Sequence, residues 1–314
     1  MTCRLLLRSK RFWAGFILGL AALTTASLFF IHDKNKLTPD ENGMYLQDGY
    51  WVQYSGEYDP EQVSLFARKM TQLKNTYLTP ENKVYWGIVP DKSHYLPQVG
   101  WPVLDYTAML KQAKEEMPGD ATFISLEESL SLSSYYKTDP HWRQESLQPV
   151  LDTLGQAMDF SASIQDWDAH TVEDFRGNFS WFVSIPPDTE NLIYLTSSYT
   201  DTSQAHHALM DDPQPVYDLS KLDGKNPYDL FVSGTTPFVT LENPEATTQR
   251  ELVIFRDSFS SSLAPLLCQT YKTITLIDLR YMVPQLLEQY ITFTNQDVLF
   301  LYSSSVVNQS AILR

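Results

Sequence analysis

Ser258 stands where a nucleophile is expected in an α/β protein. It follows the apolar run ELVIF at residues 251–255, which is typical of a buried strand, and it precedes a predicted helix. Ligands bind beyond the carboxyl ends of strands in open α/β sheets, so a serine at this junction would face a cleft. The first N–H groups of the helix favour negative charge there, as an oxyanion requires. Helix capping by Asp257 or Ser258 is the alternative interpretation.

A serine hydroxyl needs a base at neutral pH, and His141 is the best candidate for that base. It lies in the segment YYKTDPHW, residues 135–142, just before a predicted helix. Asp139 precedes a proline, which favours extended backbone and can place the side chains of Asp139 and His141 on one side. Asp139 would then orient the imidazole, as in a Ser-His-Asp triad. An Asp-Pro helix start, with His141 merely packed against it, explains the same residues.

Other histidines are weaker candidates. His94 follows a predicted strand end and is a minor candidate, whereas His206 and His207 lie in a polar region typical of the surface. Their spacing from Asp211 and Asp212 is too loose to predict a metal site. We expect neither a metal nor a cofactor.

Composition excludes some classes of protein. The chain has 314 residues, of which 43% are apolar, so it is long and apolar enough to bury a sizeable core. A net charge of −15 argues against nucleic acid as a partner, since phosphate binding needs clustered Lys and Arg. Two cysteines, Cys3 and Cys268, fall on opposite sides of a long apolar segment and predict no disulfide framework and no cysteine zinc site.

The N-terminus contains that apolar segment. Residues 12–31 carry no charge, and about 20 residues suffice to cross a hydrocarbon core. Basic residues are concentrated before this segment, so we predict a signal-anchor with residues 1–11 in the cytoplasm and the remaining chain outside the cell. Cleavage after Ala26 is the alternative and would give a secreted protein. Past residue 32 the chain has 19 basic and 38 acidic residues, which favours solvation over adhesion to anionic lipid.

In the rest of the chain, the order of predicted strands and helices is typical of an α/β domain. Residues 32–58 predict a juxtamembrane segment with a hairpin, and residues 59–314 predict the α/β domain, with a β-rich or loop-rich insertion at about 159–246. Strands are predicted over residues 83–90, 121–126, 251–259, 273–280 and 297–304, and helices over 59–78, 105–117 and 147–158, from 260, from 284 and at the C-terminal end.

Two blocks of the sequence are similar to those of a known family. Residues 139–142 form the pattern Asp-x-His-Trp, and the block FRDSF follows at residues 255–259. With GMYLQDGYW, VYWGIVPDKSHYL, NPYDLFVSGTTPF and TLIDLRY, these blocks resemble the DHHW family, relatives of the alginate O-acetylation proteins within the SGNH hydrolase group. The resemblance covers roughly residues 40–304.

The resemblance implies a fold and a triad. The fold would be a three-layer, flavodoxin-like α/β domain with a mostly parallel sheet. Asp139 would orient, His141 would be the general base and Ser258 the nucleophile. Arg256 stands where the family has a glycine, and its positive charge would attract an oxyanion.

Further residues could contact substrate. Arg280 and Tyr281 end the strand after the serine and should open onto the same cleft, although pairing of Arg280 with Asp278 is an alternative. Trp142 and Trp181 offer flat surfaces for sugar rings, with burial in the core as the commoner explanation for such residues.

These expectations combine into one function and its alternatives. The first is a membrane-anchored, extracytoplasmic serine O-acetyltransferase or esterase that acts on a cell-envelope or exported polysaccharide. The family resemblance implies a multi-pass membrane O-acyltransferase as the partner that supplies the acyl group. A non-catalytic protein that uses the same cleft to bind polysaccharide or to assemble an export complex is the second hypothesis, and a free secreted esterase is the third.

Overall fold

The computed structural model describes residues 38–98, 103–183 and 188–314. The predicted cytoplasmic N-terminus at 1–11 and the predicted signal-anchor at 12–31 lie outside these residues. Within the described part of the chain, no helix combines the length and the apolar character needed to cross a bilayer. The elements below belong to one compact unit, Pro39–Leu96 and Val103–Arg314.

The described chain contains both strands and helices. The strands are β1 (Met44–Gln47), β2 (Tyr50–Gln53), β3 (Lys83–Val89), β4 (Thr122–Phe123), β5 (Asp168–Phe175), β6 (Glu190–Thr196), β7 (Gln204–His207), β8 (Gln214–Pro215), β9 (Phe238–Glu242), β10 (Glu251–Arg256), β11 (Thr273–Ile277) and β12 (Asp297–Ser303). The α-helices are α1 (Pro60–Tyr77), α2 (Tyr106–Glu116), α3 (Gln148–Met158), α4 (Ser198–Asp201), α5 (Ser260–Leu267) and α6 (Ser304–Val307).

An eight-stranded sheet organises the domain in the order β4-β3-β12-β10-β11-β9-β7-β8. The first five strands in this order are parallel, and β9, β7 and β8 add an antiparallel end. Parallel strands are covered on both faces and therefore have continuous apolar sequences. Strand β12 is an example, because it is buried along its whole length. The ends of β3, β12, β10 and β11 therefore meet at one edge of the sheet.

Apolar side chains pack on both faces of this sheet. On β10, Val253 and Phe255 face the cluster that includes α1 and α2, whereas Leu252 and Ile254 face the cluster that includes α3 and α5. Successive strand residues point to opposite faces, so a continuous apolar strand supplies both layers. The predicted mixed α/β fold with a large, mostly parallel sheet is confirmed.

The structure departs from the sequence-based expectation in three places. The strand expected at 121–126 is only Thr122–Phe123, and the helix expected from residue 284 is the 3-10 helix Pro284–Gln289. The expected insertion at 159–246 does not merely decorate the sheet, because β7, β8 and β9 extend it. Within the described part of the insertion, β5 and β6 pair apart from the sheet as an antiparallel hairpin. Strand β7 is short and its residues alternate between exposed and buried, and β8 has only two residues. Neither strand therefore gives a long apolar run in the sequence.

The predicted N-terminal hairpin is present as β1 and β2. Its turn contains Asp48 and Gly49 with φ of 49° and 82°, the positive values that tight hairpin turns favour. The N–H of Trp51 donates to the carbonyl oxygen of Lys137 at 2.9 Å. The hairpin therefore contacts the segment that carries Asp139 and His141.

Candidate active site

The turn after β10 presents Ser258. Its neighbours Asp257 and Phe259 are buried, whereas Ser258 is partly exposed. The Asp257 carboxylate accepts the Phe259 N–H at 3.1 Å and the Ser303 N–H at 2.7 Å, so it joins the carboxyl ends of β10 and β12. Asp257 thus fixes the turn, and the hydroxyl of Ser258 is left for another partner.

That partner is His141. The Nε2 atom of His141 lies 2.7 Å from the Ser258 Oγ, and the Nδ1 atom lies 2.6 Å from Asp139 Oδ1. Asp139 is fully buried, and only 6% of His141 is exposed. The structure thus brings the three predicted side chains together in one hydrogen-bonded chain. A carboxylate only accepts hydrogen bonds, so Nδ1 carries the proton and Nε2 accepts the serine hydroxyl proton.

The loop around Asp139 keeps its carboxylate ionised. Burial acts to raise the pKa of Asp139, but His141 and the N–H of Asn178, 2.8 Å from Oδ2, outweigh it and hold the pKa below its ordinary value. Gly177 permits this approach, because a Cβ there would lie 2.3 Å from the Asp139 Cβ. An ionised Asp139 is what a base-competent imidazole requires.

Two aromatic rings hold the imidazole in place. The ring of Tyr228 stacks on His141 with centroids 3.9 Å apart and planes 4° apart, and the Phe259 ring packs at 5.0 Å. The Tyr228 hydroxyl donates to Ser262 Oγ at 2.8 Å, which ties this ring to α5. The stack restricts rotation of His141, so its Nε2 stays aimed at Ser258.

The structure corrects the expected role of Trp142. Its ring is completely buried, and its Nε1–H donates to the Phe259 carbonyl oxygen and to Ser262 Oγ, each at 3.0 Å. A sugar cannot reach this ring. Trp142 instead anchors the start of α5, the helix that follows the nucleophile.

Arg256 also lies elsewhere than expected. It is 1% exposed, and its Nη1 donates to Ser261 Oγ at 2.6 Å and, at 3.4 Å, to the Asp257 carbonyl oxygen. Burial lowers the pKa of its guanidinium, with Asp278 acting in the opposite direction. These contacts place Arg256 beneath the turn, where it braces the backbone, rather than at an open cleft beside the Ser258 hydroxyl.

Arg280 and Tyr281 follow β11, at the same edge of the sheet as Ser258. Arg280 donates from Nε and Nη2 to the two oxygens of Asp278 at 2.9 and 2.6 Å, which is the pairing that the sequence left as an alternative. Its guanidinium lies 5.4 Å from the centroid of the Tyr281 ring, which is 51% exposed. Contact of either residue with substrate stays a prediction.

The remaining histidines lie outside the triad. His94 Nε2 is 3.0 Å from Glu127 Oε1, and His206 is exposed on β7. His207 is only 5% exposed, which corrects its expected place at the surface. In the described ranges, no group of three or more His, Cys, Asp and Glu side chains is arranged to hold a metal ion.

Sequence reasoning missed Lys92 as a site residue. This lysine is 3% exposed, and its Nζ donates to the carbonyl oxygens of Tyr136 and Asp139 at 2.6 and 2.7 Å. Burial lowers the pKa of its ammonium to about 7, against the opposing effect of the Asp139 carboxylate. The segment PDKS directly follows β3, so its place at a strand end was the available signal.

We expect Lys92→Met to lower kcat for ester turnover by about 10- to 100-fold, because a small displacement of the Asp139 loop would misplace the imidazole. The KM for a small ester should change little, since Lys92 supports the triad from behind. Measured kcat and KM, together with the thermal unfolding midpoint, check this expectation.

Lys69 supplies the matched control. Its Nζ also donates to two carbonyl oxygens, those of Ser310 and Leu313, in a part of the domain without triad residues. Lys69→Met should change the unfolding midpoint but not kcat. Equal effects of both replacements on kcat would contradict a positioning role for Lys92.

Comparisons with known proteins bear on the fold. No family model and no curated protein matches this chain. A DHHW family protein from Eubacterium siraeum has a similar structure, with a TM-score of 0.70 and 18% identity, over 88% of this chain and 97% of that one. PatB1 of Bacillus cereus, in a structure with a sulfonyl adduct, has a TM-score of 0.64 and 18% identity, over 84% of this chain and 95% of its own. The likeness to the DHHW fold that the sequence predicted is confirmed.

Proposed function

We propose that this chain is a serine O-acetyltransferase or acetylesterase that works through an acyl-enzyme. The observation that supports this most directly is the chain of hydrogen bonds from Asp139 through His141 to Ser258, with distances of 2.6 and 2.7 Å. A serine that only caps a helix has no need of a base oriented by a buried carboxylate.

The two halves of the reaction use the same base. In the first, His141 Nε2 accepts the hydroxyl proton as Ser258 Oγ bonds to the acetyl carbonyl carbon; the ester bond breaks, and His141 gives the proton to the leaving oxygen. In the second, His141 accepts a proton from a sugar hydroxyl or water, whose oxygen attacks the acyl-enzyme, and then returns the proton to Ser258. Helix α5 begins two residues after Ser258, so its first N–H groups favour the negative charge of both intermediates.

The acceptor and the location are part of the same proposal. A cell-envelope or exported polysaccharide would supply the sugar hydroxyl, and a multi-pass membrane O-acyltransferase would deliver the acetyl group. The uncharged segment at residues 12–31, preceded by basic residues, would hold the triad beside the outer face of the membrane. The resemblance to the DHHW family supports the acceptor class and the donor partner.

Covalent labelling tests the nucleophile. PatB1 is described with a sulfonyl adduct. We expect phenylmethylsulfonyl fluoride to react with this chain, as Ser258 Oγ bonds to sulfur and fluoride leaves. Peptide mass spectrometry of the labelled full-length chain should find one sulfonyl group, on Ser258, and turnover of 4-nitrophenyl acetate should fall in proportion to the label.

Two results would contradict the proposal. One is a folded chain that takes up no label and turns over no acetyl ester, which would favour the non-catalytic polysaccharide-binding alternative. The other is a label on a different serine, with turnover lost all the same, which would move the nucleophile away from this triad.

A further inference from the structure

A separate cleft is lined by residues that are close in sequence to two contacts of the acid–base pair. It has a volume of about 690 Å³. Two chain segments form its walls. The first wall contains Asp174, Arg176, Ser180 and Trp181, the second contains Gly224, Lys225 and Pro227, and Thr189, the residue before β6, also lines the cleft. None of these side chains belongs to the triad.

Two residues that neighbour the lining of this cleft in the chain contact the acid–base pair. Asn178, two residues before Ser180 of the first wall, donates its N–H to Asp139 at 2.8 Å. Trp181 follows three residues later, so it lies within about 11 Å of Asn178 along the backbone. The second wall contains Pro227, and the next residue, Tyr228, stacks on His141 with centroids 3.9 Å apart. Short stretches of chain therefore connect the lining of the cleft to the two side chains that act with Ser258.

Trp181 is an exposed aromatic residue of the cleft. Its side chain is 60% exposed, although large aromatic residues of a folded chain usually bury most of their surface. The ring is nevertheless held: its Nε1–H donates to the Lys225 carbonyl oxygen at 2.7 Å, and the Lys225 ammonium lies 5.6 Å from the ring centroid. A rigid aromatic face open to solvent is suited to binding, because little conformational entropy is lost on contact.

The polar groups around Trp181 include both donors and acceptors. Arg176 and Lys225 present exposed cations, and Asp174 presents a carboxylate whose Oδ1 also accepts the Thr189 hydroxyl at 3.2 Å. The Ser180 hydroxyl is buried and has no hydrogen-bond partner among the described residues. A pyranose matches this arrangement: its C–H groups pack on an aromatic face, and the hydroxyl groups at its edge both donate and accept. An acyl chain would instead leave these polar groups desolvated without partners.

From this geometry we propose that the cleft is the subsite for the acceptor glycan, with Trp181 as the platform for one sugar ring. The inference rests on the proposed function, because the sugar bound here would supply the hydroxyl that attacks the acyl-enzyme.

Binding is tested in the full-length chain with Ser258→Ala, so that no turnover disturbs the measurement. Calorimetry would use three tetrasaccharide probes: β-1,4-linked glucose, β-1,4-linked N-acetylglucosamine and a β-1,4-linked uronic acid. At least one should bind at millimolar concentration or below. Adding Trp181→Ala should raise its Kd at least about tenfold, as for a central aromatic contact, whereas Trp181→Tyr, which keeps a flat face, should stay within about threefold.

The same calorimetric assay provides the control and the results that would contradict the proposed subsite. Leu209 is 78% exposed and lies outside the cleft, so Leu209→Ala should leave the Kd unchanged. Failure of all three probes to bind, or an affinity that Trp181→Ala leaves unaltered, overturns the subsite. Failure of the proposed function is distinguishable, because it shows as missing 4-nitrophenyl acetate turnover in the chain that retains Ser258, whatever the binding result.

Discussion

The Ser258→Ala chain is expected to lose ester turnover by about 10⁴- to 10⁶-fold in kcat, the range found when the nucleophile of a serine triad is removed. The physical reason is that no acyl-enzyme can form, so only uncatalysed attack by water within the binding site remains. Steady-state kinetics with 4-nitrophenyl acetate measures this loss, and the unfolding midpoint shows whether the fold persists. The midpoint should hardly move, because Ser258 is partly exposed and alanine fits the turn.

A neighbouring serine gives the control for this replacement. Ser260 is fully buried at the start of α5, and its hydroxyl has no hydrogen-bond partner among the described residues. Ser260→Ala removes a hydroxyl of the same kind two positions away and should retain kcat within about threefold. Turnover that survives Ser258→Ala unchanged would rule out the triad.

Asp139→Asn is expected to lower kcat by about 10⁴-fold while changing KM little. An asparagine of the same shape can donate its amide N–H to His141 Nδ1, and the imidazole then carries its proton on Nε2. In that tautomer Nε2 cannot accept the Ser258 hydroxyl proton. The comparison of kcat with KM, measured at several pH values, separates a tautomer effect from weakened ester binding.

Asp218→Asn is a suitable control for the loss of a carboxylate. Asp218 accepts hydrogen bonds from Ser220 and Ser233, has no contact with His141, and its pKa is likewise lower than usual, since those bonds outweigh the opposing effect of burial. The Asp218→Asn chain should keep its kcat. An Asp139→Asn chain with unchanged kcat would show that the imidazole needs no carboxylate, and would leave the Asp139–His141 contact a structural one.

Much of the fold could be predicted because long apolar runs are buried on both faces of a parallel sheet. The runs at β3, β10 and β12 were visible for this reason, and Asp59 and Asp105 mark the starts of α1 and α2, where their carboxylates accept helix N–H groups. The antiparallel end of the sheet could not be predicted from such runs. Strands β7 and β8 are short, so their assignment depends on partners that only the folded chain brings beside them.

Some residues of the candidate site could be predicted from the sequence, and others could not. Ser258, His141 and Asp139 could be named because their chemistry depends on side-chain type and on motifs that stand out in the sequence. The position of Lys92 after β3 is a signal, but the contacts of Lys92 and Asn178 could not be predicted. Lys92 donates to two backbone carbonyl oxygens, and Asn178 supplies a backbone N–H. No residue pattern identifies a contact of that kind between distant segments.

For two side chains, the position expected from residue type was wrong. Trp142 and Arg256 were expected in the cleft because aromatic and cationic groups bind substrates well, yet both are almost completely buried. Their hydrogen bonds to Ser262 and Ser261 hold α5, so both residues stabilise the element that follows the nucleophile. Whether such a residue faces ligand or core is decided by packing of distant segments, which one sequence does not reveal.

The position of β12 has a consequence for how the protein acquires activity. Among the described residues this strand is the last in sequence, yet it lies between β3 and β10, and Ser303 at its end donates its N–H to the carboxylate of Asp257, beside Ser258. His141 and Ser258 are themselves 117 residues apart. Pairings over such separations form slowly, since long loops must close first. During refolding, regain of ester turnover should therefore lag behind the early burst of helical circular dichroism, and newly made chains should stay inactive until β12 has paired with β3 and β10.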